Sequence, residues 1–230
     1  MENESSMYSK EWRDYLDLAE ERPELFKASS RLQIIMDYES VQQFERNTDK
    51  KIGVVYRSAY NLLVVDLVEN MKGERFAYER LIPAVKKGAI VSIPVYDDKF
   101  VLLKQYRHAM RAFQYAFPRG FGEEGLSAEE NLQKENKEET GADVKKISHV
   151  GTVIADSGIG SNEVDVFACE ITEPQLKLHY EGIEEIELLT EKELVKWIAE
   201  GRITIFFSGI FKYIRPQICH TSIYISEGLW

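Results

Sequence analysis

Residues 120–142, GFGEEGLSAEENLQKENKEETGA, are the most informative stretch of this chain. Near its end, Glu135, Glu138 and Glu139 follow the spacing i, i+3 and i+4. On a helix this spacing places all three carboxylates on one face, where they repel one another. A compact face of carboxylates suits Mg²⁺ or Mn²⁺, which take oxygen ligands. The alternative is a solvated helix face on which Lys134 and Glu138 form an ordinary ion pair.

The flanking residues predict where this helix begins and ends. Ser127, followed three residues later by Glu130, is typical of a capping box that starts a helix. Gly141 supplies the left-handed conformation that commonly ends one. Residues 117–122, FPRGFG, precede the cap, and their two glycines allow the backbone to approach a ligand closely. The prediction is a glycine-containing loop followed by the helix that carries the carboxylates.

The same stretch resembles the Nudix box, G-x5-E-x7-R-E-U-x-E-E-x-G-U, in which U is an aliphatic residue. The box is the signature of hydrolases that split nucleoside diphosphates linked to another group. Six residues of this chain fall in register with it: Gly120, Glu135, Glu138, Glu139, Gly141 and Ala142.

Three residues depart from the box. Leu126 stands in place of its first glutamate, Lys134 in place of its arginine, and Asn136 in place of an aliphatic residue. The resemblance implies that Leu126 and Lys134 belong to the network that orients the helix. Asn136 places an amide where a core side chain is expected, which costs stability unless the amide is hydrogen-bonded.

The resemblance also implies a set of metal ligands. Glu135 and Glu139 would bind the cation, Mg²⁺ or Mn²⁺, and the residue just before the box glycine, Arg119, would add its backbone carbonyl. Glu138 would be a further ligand or a catalytic support. The backbone at Gly120 would approach the substrate.

A base is needed to position or deprotonate the attacking water. In the resembling enzymes a glutamate on a late loop has this role, and here Glu181 and Glu184 match the pattern best, although each could be a solvated charge. Arg107 is the candidate for a phosphate contact, since a guanidinium binds phosphate through two points. The alternative for Arg107 is a surface arginine at a strand end.

The resemblance extends to ADP-ribose pyrophosphatases. Four segments are similar to the corresponding parts of that subgroup: residues 105–107 (QYR), 117–120 (FPRG), 181–184 (EGIE) and 190–201. This implies hydrolysis of ADP-ribose to AMP and ribose 5-phosphate. The subgroup also carries a proline past the box, whereas residues 156–160 here read DSGIG. Another nucleoside diphosphate sugar therefore stays open as substrate. The departures from the box leave open a Nudix-fold sensor that binds a nucleotide sugar without cleaving it, and a structural or interaction protein is the third alternative.

Composition limits the partners. The chain has 230 residues and a formal net charge of −10, which disfavours a nucleic-acid backbone as partner. A small anionic substrate is compatible with this charge, because a bound divalent metal inverts it locally.

Cys169 and Cys219 are too few for a disulfide framework and are interpreted as reduced thiols. No apolar run approaches the roughly 20 residues that span a bilayer, and the N-terminus lacks a signal-peptide core. We therefore expect a cytoplasmic protein.

Periodicity predicts the order of the elements. Helices are expected at residues 9–21, in the box, at 190–200 and at 205–214. Strands are expected at these ranges: 53–57, 60–70, 75–81, 89–96, 100–105, 147–155, 164–171 and 183–189. Turns are expected at 70–73 and 97–99. The predicted fold class is α/β, a Nudix-type α/β/α sandwich with a mixed sheet, preceded by an N-terminal helical and β extension.

The predicted division is an N-terminal extension at 1–87 and a Nudix hydrolase domain at 88–230. ADP-ribose pyrophosphatases commonly form homodimers by exchanging an N-terminal sheet, so that the partner's residues help to wall the substrate pocket. The resemblance implies the same for residues 53–81. The alternative is a plain intramolecular sheet.

Overall fold

The computed structural model describes residues 8–175 and 182–203. These residues form two compact units: one runs up to Val85 and includes Asp156–Asn162, and the other contains the remainder. The helices of the described residues are α1 (Lys10–Glu21), α2 (Tyr38–Thr48), α3 (Ala128–Thr140) and α4 (Glu191–Ala199), with a short 3₁₀ helix at Pro23–Phe26. In this part of the chain, none of the helices combines the length and the apolar character that crossing a bilayer requires.

An antiparallel sheet forms the N-terminal unit. Its strands are β1 (Leu32–Ile34), β2 (Gly53–Arg57), β3 (Asn61–Asn70) and β4 (Arg75–Pro83). The long strand β3 is central, because β4 pairs along its whole length while β2 and β1 pair with its first and second halves. The β3–β4 turn lies at residues 70–73, as predicted, where Gly73 N–H donates to the Asn70 carbonyl at 2.9 Å.

Helix α1 packs into the core of this unit. Ser9 caps it by accepting a hydrogen bond from Trp12 N–H at 3.2 Å, and Trp12, Tyr15 and Leu18 are buried. Gly53 has φ of +121°, and a Cβ there would lie 2.3 Å from the Glu11 carbonyl oxygen. Only glycine allows the first residue of β2 to approach the backbone of α1 so closely.

A buried ionic network joins α1 to the sheet. Asp66, on β3, is 2% exposed, and the Arg80 guanidinium donates to its two carboxylate oxygens at 2.5 and 2.8 Å. The Tyr15 hydroxyl donates to the same carboxylate. Burial, followed by the charge of Asp66, raises the pKa of the Tyr15 hydroxyl well above its ordinary value. The hydroxyl therefore stays protonated and continues to donate.

The Asp156–Asn162 segment belongs to the N-terminal unit, although its neighbours along the chain do not. It lies against β4: Leu81 N–H donates to the Ile159 carbonyl at 2.8 Å, and Leu81 forms a parallel bridge with Gly160. The Tyr78 hydroxyl donates to the Gly158 carbonyl at 2.6 Å. The segment thus adds to the edge of the N-terminal sheet.

A mixed sheet forms the second unit. Its strands are β5 (Ile90–Tyr96), β6 (Lys99–Arg107), β7 (Ala112–Ala116), β8 (Arg119–Gly120), β9 (Val144–Ile154), β10 (Glu163–Ile171) and β11 (Ile183–Leu189). The main order is β11-β6-β5-β10-β9, in which β5 and β10 are parallel and the other neighbours are antiparallel.

Strands β5 and β6 pair only next to their turn, where Asp97 and Asp98 both have positive φ, as a type I′ hairpin turn requires. Further along, β6 pairs with β7, and β5 pairs with the two-residue strand β8. This divergence places Arg119 and Gly120 beside the first residues of β5.

The two later helices cover opposite faces of the mixed sheet. Successive residues of a strand point to opposite faces; Val101 packs with Ala142, at the end of α3, whereas Leu102 packs with Leu194 of α4. The architecture is the predicted α/β/α sandwich with a mixed sheet. Predicted helices at the N-terminus, in the box and near residue 190 are confirmed, as are the eight predicted strands, with small shifts at their ends. The helix predicted at 205–214 lies outside the described residues.

Candidate active site

Helix α3 has the predicted boundaries. The Ser127 side chain accepts from Glu130 N–H while the Glu130 carboxylate accepts from Ser127 N–H, so the capping box is complete. The backbone hydrogen bond from Ser127 lowers the pKa of Glu130 below its ordinary value. Gly141 ends the helix with φ of +70° and a bond from its N–H to the Lys137 carbonyl. The helix is therefore anchored at both ends by local chemistry that the sequence shows directly.

The box glycine leaves room for the first candidate ligand. A Cβ on Gly120 would lie 2.2 Å from Glu135 Oε1 and 2.3 Å from its carboxylate carbon. The Glu135 carboxylate therefore rests against the backbone of β8. Any larger residue at position 120 would displace it, which explains why chemistry at Glu135 needs a glycine fifteen residues earlier in the chain.

Glu139 reaches the same short strand. The residue is 7% exposed, and its Oε2 accepts a hydrogen bond from Arg119 N–H at 3.1 Å. Arg119 as a residue is exposed, yet desolvation lowers the pKa of its guanidinium while the charge of Glu139 opposes this. Glu135 and Glu139 thus meet adjacent residues of β8, one turn of helix apart.

Glu138 points elsewhere. Its side chain is 58% exposed, and its carboxylate lies 3.8 Å from Lys134 Nζ, the ion pair foreseen as the alternative for these positions. Lys134 also pairs with Glu123 in the loop before α3. The hydrogen bond from Glu123 raises the pKa of the Lys134 ammonium; desolvation opposes this, and the charge of Glu138 adds to the rise. Lys134 therefore links the helix to the loop, as an orienting residue would.

The amide of Asn136 is satisfied. The side chain is completely buried, and its nitrogen donates to Ser92 Oγ and to the Leu132 carbonyl, both at 2.8 Å. Ser92 Oγ also lies 3.3 Å from Cys169 Sγ, and burial raises the pKa of this thiol to about 11. The stability cost expected of a polar residue here is therefore offset by hydrogen bonds.

The three box glutamates do not converge. Within residues 8–175 and 182–203, no three histidine, cysteine, aspartate or glutamate side chains come close enough to enclose a metal ion. The reason at the box is that Glu138 turns toward Lys134 while Glu135 and Glu139 turn toward β8. The pair that faces β8 still offers the carboxylate oxygens that Mg²⁺ and Mn²⁺ prefer, and the space left by Gly120 fits this donor set.

The candidate bases are only partly described. Glu181 lies outside the described residues. Glu184 lies at the start of β11, where the register with β6 shifts between Ile183 and Glu185. Its carboxylate is 3.3 Å from Lys104 Nζ, and Glu185 is 3.4 Å from the same nitrogen. The bond to Glu184 raises the pKa of Lys104, desolvation opposes the rise, and Glu185 adds to it.

Arg107 is the last residue of β6 and is half-buried, and its carbonyl accepts from Met110 N–H at 3.0 Å. It occupies the strand end that the sequence indicated. Sequence reasoning missed four polar residues that contact the candidate residues, α3 or the glycine loop: Ser92, Lys104, Glu123 and Asn131. Each acts through a partner that is distant in the chain, so no local spacing reveals it.

Comparison with known proteins identifies the family. The model of the NUDIX domain matches residues 86–206, more than half of the chain. The chain belongs to the Nudix family, and the predicted resemblance is confirmed.

Two relatives add detail. The ADP compounds hydrolase NudE of Escherichia coli (strain K12) is 30% identical over 101 residues, which are 44% of this chain and 53% of the relative. The chain thus spans about half the length of this curated relative. A crystal structure of an ADP compounds hydrolase matches with a TM-score of 0.61 and 17% identity, covering 71% of this chain and 89% of that chain. This likeness shows the shared fold.

Proposed function

We propose that this protein hydrolyses the pyrophosphate bond of a nucleoside diphosphate derivative with the help of a divalent cation. The observation that carries the proposal is the arrangement at β8, where the carboxylates of Glu135 and Glu139 meet the backbone of Gly120 and Arg119. Membership of the Nudix family and the likeness to an ADP compounds hydrolase support it. ADP-ribose is the first candidate substrate, giving AMP and ribose 5-phosphate.

The proposed cation is Mg²⁺ or Mn²⁺. Glu135, Glu139 and the backbone carbonyl of Arg119 would hold it, because hard oxygen donors suit these ions. When bound, the ion supplies neutralisation of phosphate charge and activation of a water. Glu138 would support this pair from the exposed side of the helix, where Lys134 now holds it.

Side chains of this protein would accept the proton and bind the phosphates. A water oxygen adds to one phosphorus as the bridging phosphorus–oxygen bond breaks, and the water's proton passes to a carboxylate. Glu184 or Glu181 would take this proton. The Glu184 carboxylate must first separate from Lys104, whose Nζ lies 3.3 Å from it. Arg107 would hold a phosphate with its guanidinium, and the backbone at Gly120 would lie close to the substrate.

A substrate panel tests the proposal. We expect ADP-ribose, or another nucleoside diphosphate sugar, to be cleaved with Mg²⁺ or Mn²⁺ but not with a chelator present. Products would be scored as phosphate released by an added phosphatase. Glu139→Gln should lose this cleavage. Glu129→Gln is its matched control, because Glu129 is an exposed carboxylate on the same helix. Absence of metal-dependent cleavage across the panel would refute the proposal.

The altered box favours a second candidate, a sensor that binds a nucleotide sugar without cleaving it. Leu126, Lys134 and Asn136 all depart from the box. Calorimetric binding of ADP-ribose, with no AMP formed after prolonged incubation with Mg²⁺, would favour the sensor. Turnover would exclude it.

A further inference from the structure

The buried face of α3 is mostly polar. Five of its residues are buried: Asn131, Leu132, Asn136, Glu139 and Thr140. Leu132 is the one large apolar side chain among them. Apolar burial is non-directional, whereas a hydrogen bond weakens steeply when its angle departs from linear. The hydrogen bonds of this face therefore define the orientation of the helix more sharply than its apolar contacts do.

One of these hydrogen-bonded contacts joins the helix to the sheet. Asn136 and Ser92 are both completely buried, and Asn136 Nδ2 donates to Ser92 Oγ at 2.8 Å while Ser92 Oγ lies 3.1 Å from Asn136 Oδ1. Ser92 belongs to β5, the strand that pairs with β8. The contact thus fixes the helix relative to the strand beside Arg119 and Gly120.

A second contact joins the helix to the glycine loop. Asn131 is completely buried, and its Nδ2 donates to the Gly88 carbonyl at 2.7 Å and to the Phe121 carbonyl at 2.8 Å. Gly88 comes just before β5, and Phe121 follows Gly120 directly. Asn131 Oδ1 has no hydrogen-bond partner among the described residues. The residue therefore contributes through its donor nitrogen.

These two contacts flank the candidate ligands. Glu135 lies one turn after Asn131 and directly before Asn136. Glu139 lies three residues after Asn136. A small slide or rotation of α3 would move the Glu135 carboxylate off Gly120 and the Glu139 carboxylate off Arg119 N–H.

We infer that Asn131 and Asn136 are positioning residues, which set α3 so that Glu135 and Glu139 present their carboxylates for a divalent cation. The inference rests on the proposed function, because it takes these glutamates as the ligands. In this chain the Ser92–Asn136 contact does the work that apolar packing would do at an aliphatic box position.

Metal binding without substrate tests the inference. The affinity for Mn²⁺ is measured on the full-length protein by electron paramagnetic resonance of the free ion. Ser92→Ala leaves the helix sequence untouched and removes, from the sheet side, the hydroxyl that contacts Asn136 and Cys169. We expect Ser92→Ala, Asn136→Leu and Asn131→Ala each to weaken Mn²⁺ binding by about 10- to 100-fold, as outer-shell changes do.

A double variant and a control separate positioning from plain stability. Ser92→Ala with Asn136→Leu replaces the polar pair by an apolar one, and we expect it to recover most of the affinity that Asn136→Leu loses. Thr140→Val is the control, since Thr140 is equally buried but its hydroxyl contacts the end of its own helix: it donates to the Asn136 carbonyl at 2.6 Å and accepts from Ala142 N–H at 3.2 Å. It should lose stability to urea without losing Mn²⁺ affinity.

The outcomes are distinguishable. Variants that fold, lose stability to urea and bind Mn²⁺ as tightly as the natural chain would overturn the inference while leaving the proposed function standing. If the natural chain binds Mn²⁺ but cleaves nothing, the hydrolase proposal fails and the affinities still decide the inference. If the natural chain binds no Mn²⁺, both are overturned. Should Asn136→Leu fail to fold, Ser92→Ala and Asn131→Ala give the same decision.

Discussion

Among the candidate ligands, Glu139 is a carboxylate that is almost completely buried. Removing a carboxylate from water costs several kcal/mol unless the charge is compensated. The Arg119 N–H supplies part of the compensation at 3.1 Å. Glu135, a like charge one turn earlier, acts in the opposite direction. A cation held by these carboxylates would offset both the cost of desolvation and the repulsion.

We expect Glu139→Gln to abolish nearly all metal-dependent hydrolysis and to leave the fold intact. The amide keeps the size of the side chain but removes the charge that binds the cation, so turnover should fall by roughly 10²-fold or more. Turnover, Mn²⁺ affinity and urea unfolding are compared with Glu129→Gln as control. Retention of most of the activity with unchanged Mn²⁺ affinity would refute the ligand assignment.

Glu184 allows a test of the base. We expect Glu184→Gln to lower kcat by roughly 10²-fold, the usual effect of losing a positioned base, with Mn²⁺ affinity unchanged. Glu185→Gln is a close control, because Lys104 holds both carboxylates, at 3.3 and 3.4 Å. Loss of an ion pair alone would affect both variants alike. If Glu184→Gln and Glu181→Gln both stay within about threefold of the natural kcat, the base lies elsewhere and Glu138 is the next candidate.

The sequence shows the spacing of the candidate site residues but not the partners that they contact in the fold. Glu135 and Glu139 follow a local spacing, so their common face could be inferred from helical geometry alone. Ser92 and Glu123 could not be inferred, because their roles depend on which strand and which loop lie beside α3. The direction of Glu138, toward Lys134, was recognised only as an alternative.

At the scale of elements, Lys134 connects α3 to the loop before it. Its partners Glu123 and Glu138 are 44% and 58% exposed at the side chain, and Lys134 itself is 38% exposed. Ion pairs this exposed contribute roughly 0–1 kcal/mol each. The pairs can direct the loop, but they add little to the stability of the helix.

Restoring the box should therefore change little. We expect Leu126→Glu combined with Lys134→Arg to alter kcat/KM by less than about tenfold. Lys134→Arg exchanges one exposed ion pair for another of similar worth, and the resemblance places position 126 among the orienting residues rather than the metal ligands. Steady-state kinetics on ADP-ribose provide the measurement. Lys137→Arg serves as control, since Lys137 lies on the same helix but pairs with Asp143, which follows the end of the helix and is away from the loop. A change from no turnover to robust turnover would instead mark the natural chain as a degraded enzyme and favour the sensor.

Local chemistry also explains which elements the sequence revealed. Capping boxes at Ser127 and Thr190 marked α3 and α4 correctly. Helix α2 was missed, although Asp37 caps it through Ser40 N–H, because Val41 is its one buried residue and its apolar stripe is short. Strand β7 was missed because it gains its pairing from β6 rather than from a strong alternation of its own.

At the scale of the whole molecule, the two units are not consecutive stretches of chain. The backbone passes between them after Val85, after Ala155 and after Asn162. A cut near residue 87 would therefore remove the sheet edge against which Asp156–Asn162 lies. Tests of the N-terminal unit are better made with substitutions in the full chain.

The buried tyrosine gives this unit a predictable response to alkali. The folded-state pKa of Tyr15 is raised above the unfolded value near 10, so its contribution to stability is complete below about pH 10 and is lost as pH rises further. We expect Tyr15→Phe to reduce the fall in unfolding free energy above pH 10 by up to about 1.4 kcal/mol per pH unit. Urea unfolding between pH 9 and 11 measures this. Tyr56→Phe, 62% exposed, is the control; equal slopes for all three proteins would contradict the expectation.

The N-terminal unit has an open strand edge, which bears on the homodimer that the resemblance to ADP-ribose pyrophosphatases led us to predict. Among the described strands, β2 is paired on one edge only, and open edges invite pairing. Tyr56 and Tyr60, at the β2–β3 hairpin, are 62% and 65% exposed. Large aromatic side chains are enriched at interfaces between proteins.

We therefore expect the full chain to be a homodimer with twice the monomer mass of 26.6 kDa in light scattering. Tyr56→Asp with Tyr60→Asp should weaken the dimer at least tenfold, because two charges would enter an apolar contact. If the partner's sheet walls the substrate pocket, KM should rise in the same variant while Mn²⁺ affinity stays constant. Met110→Asp, at a 61% exposed position in the other unit, controls for added charge. A monomeric natural chain at working concentration would exclude the shared pocket, and a dimer that survives both substitutions would place its interface elsewhere.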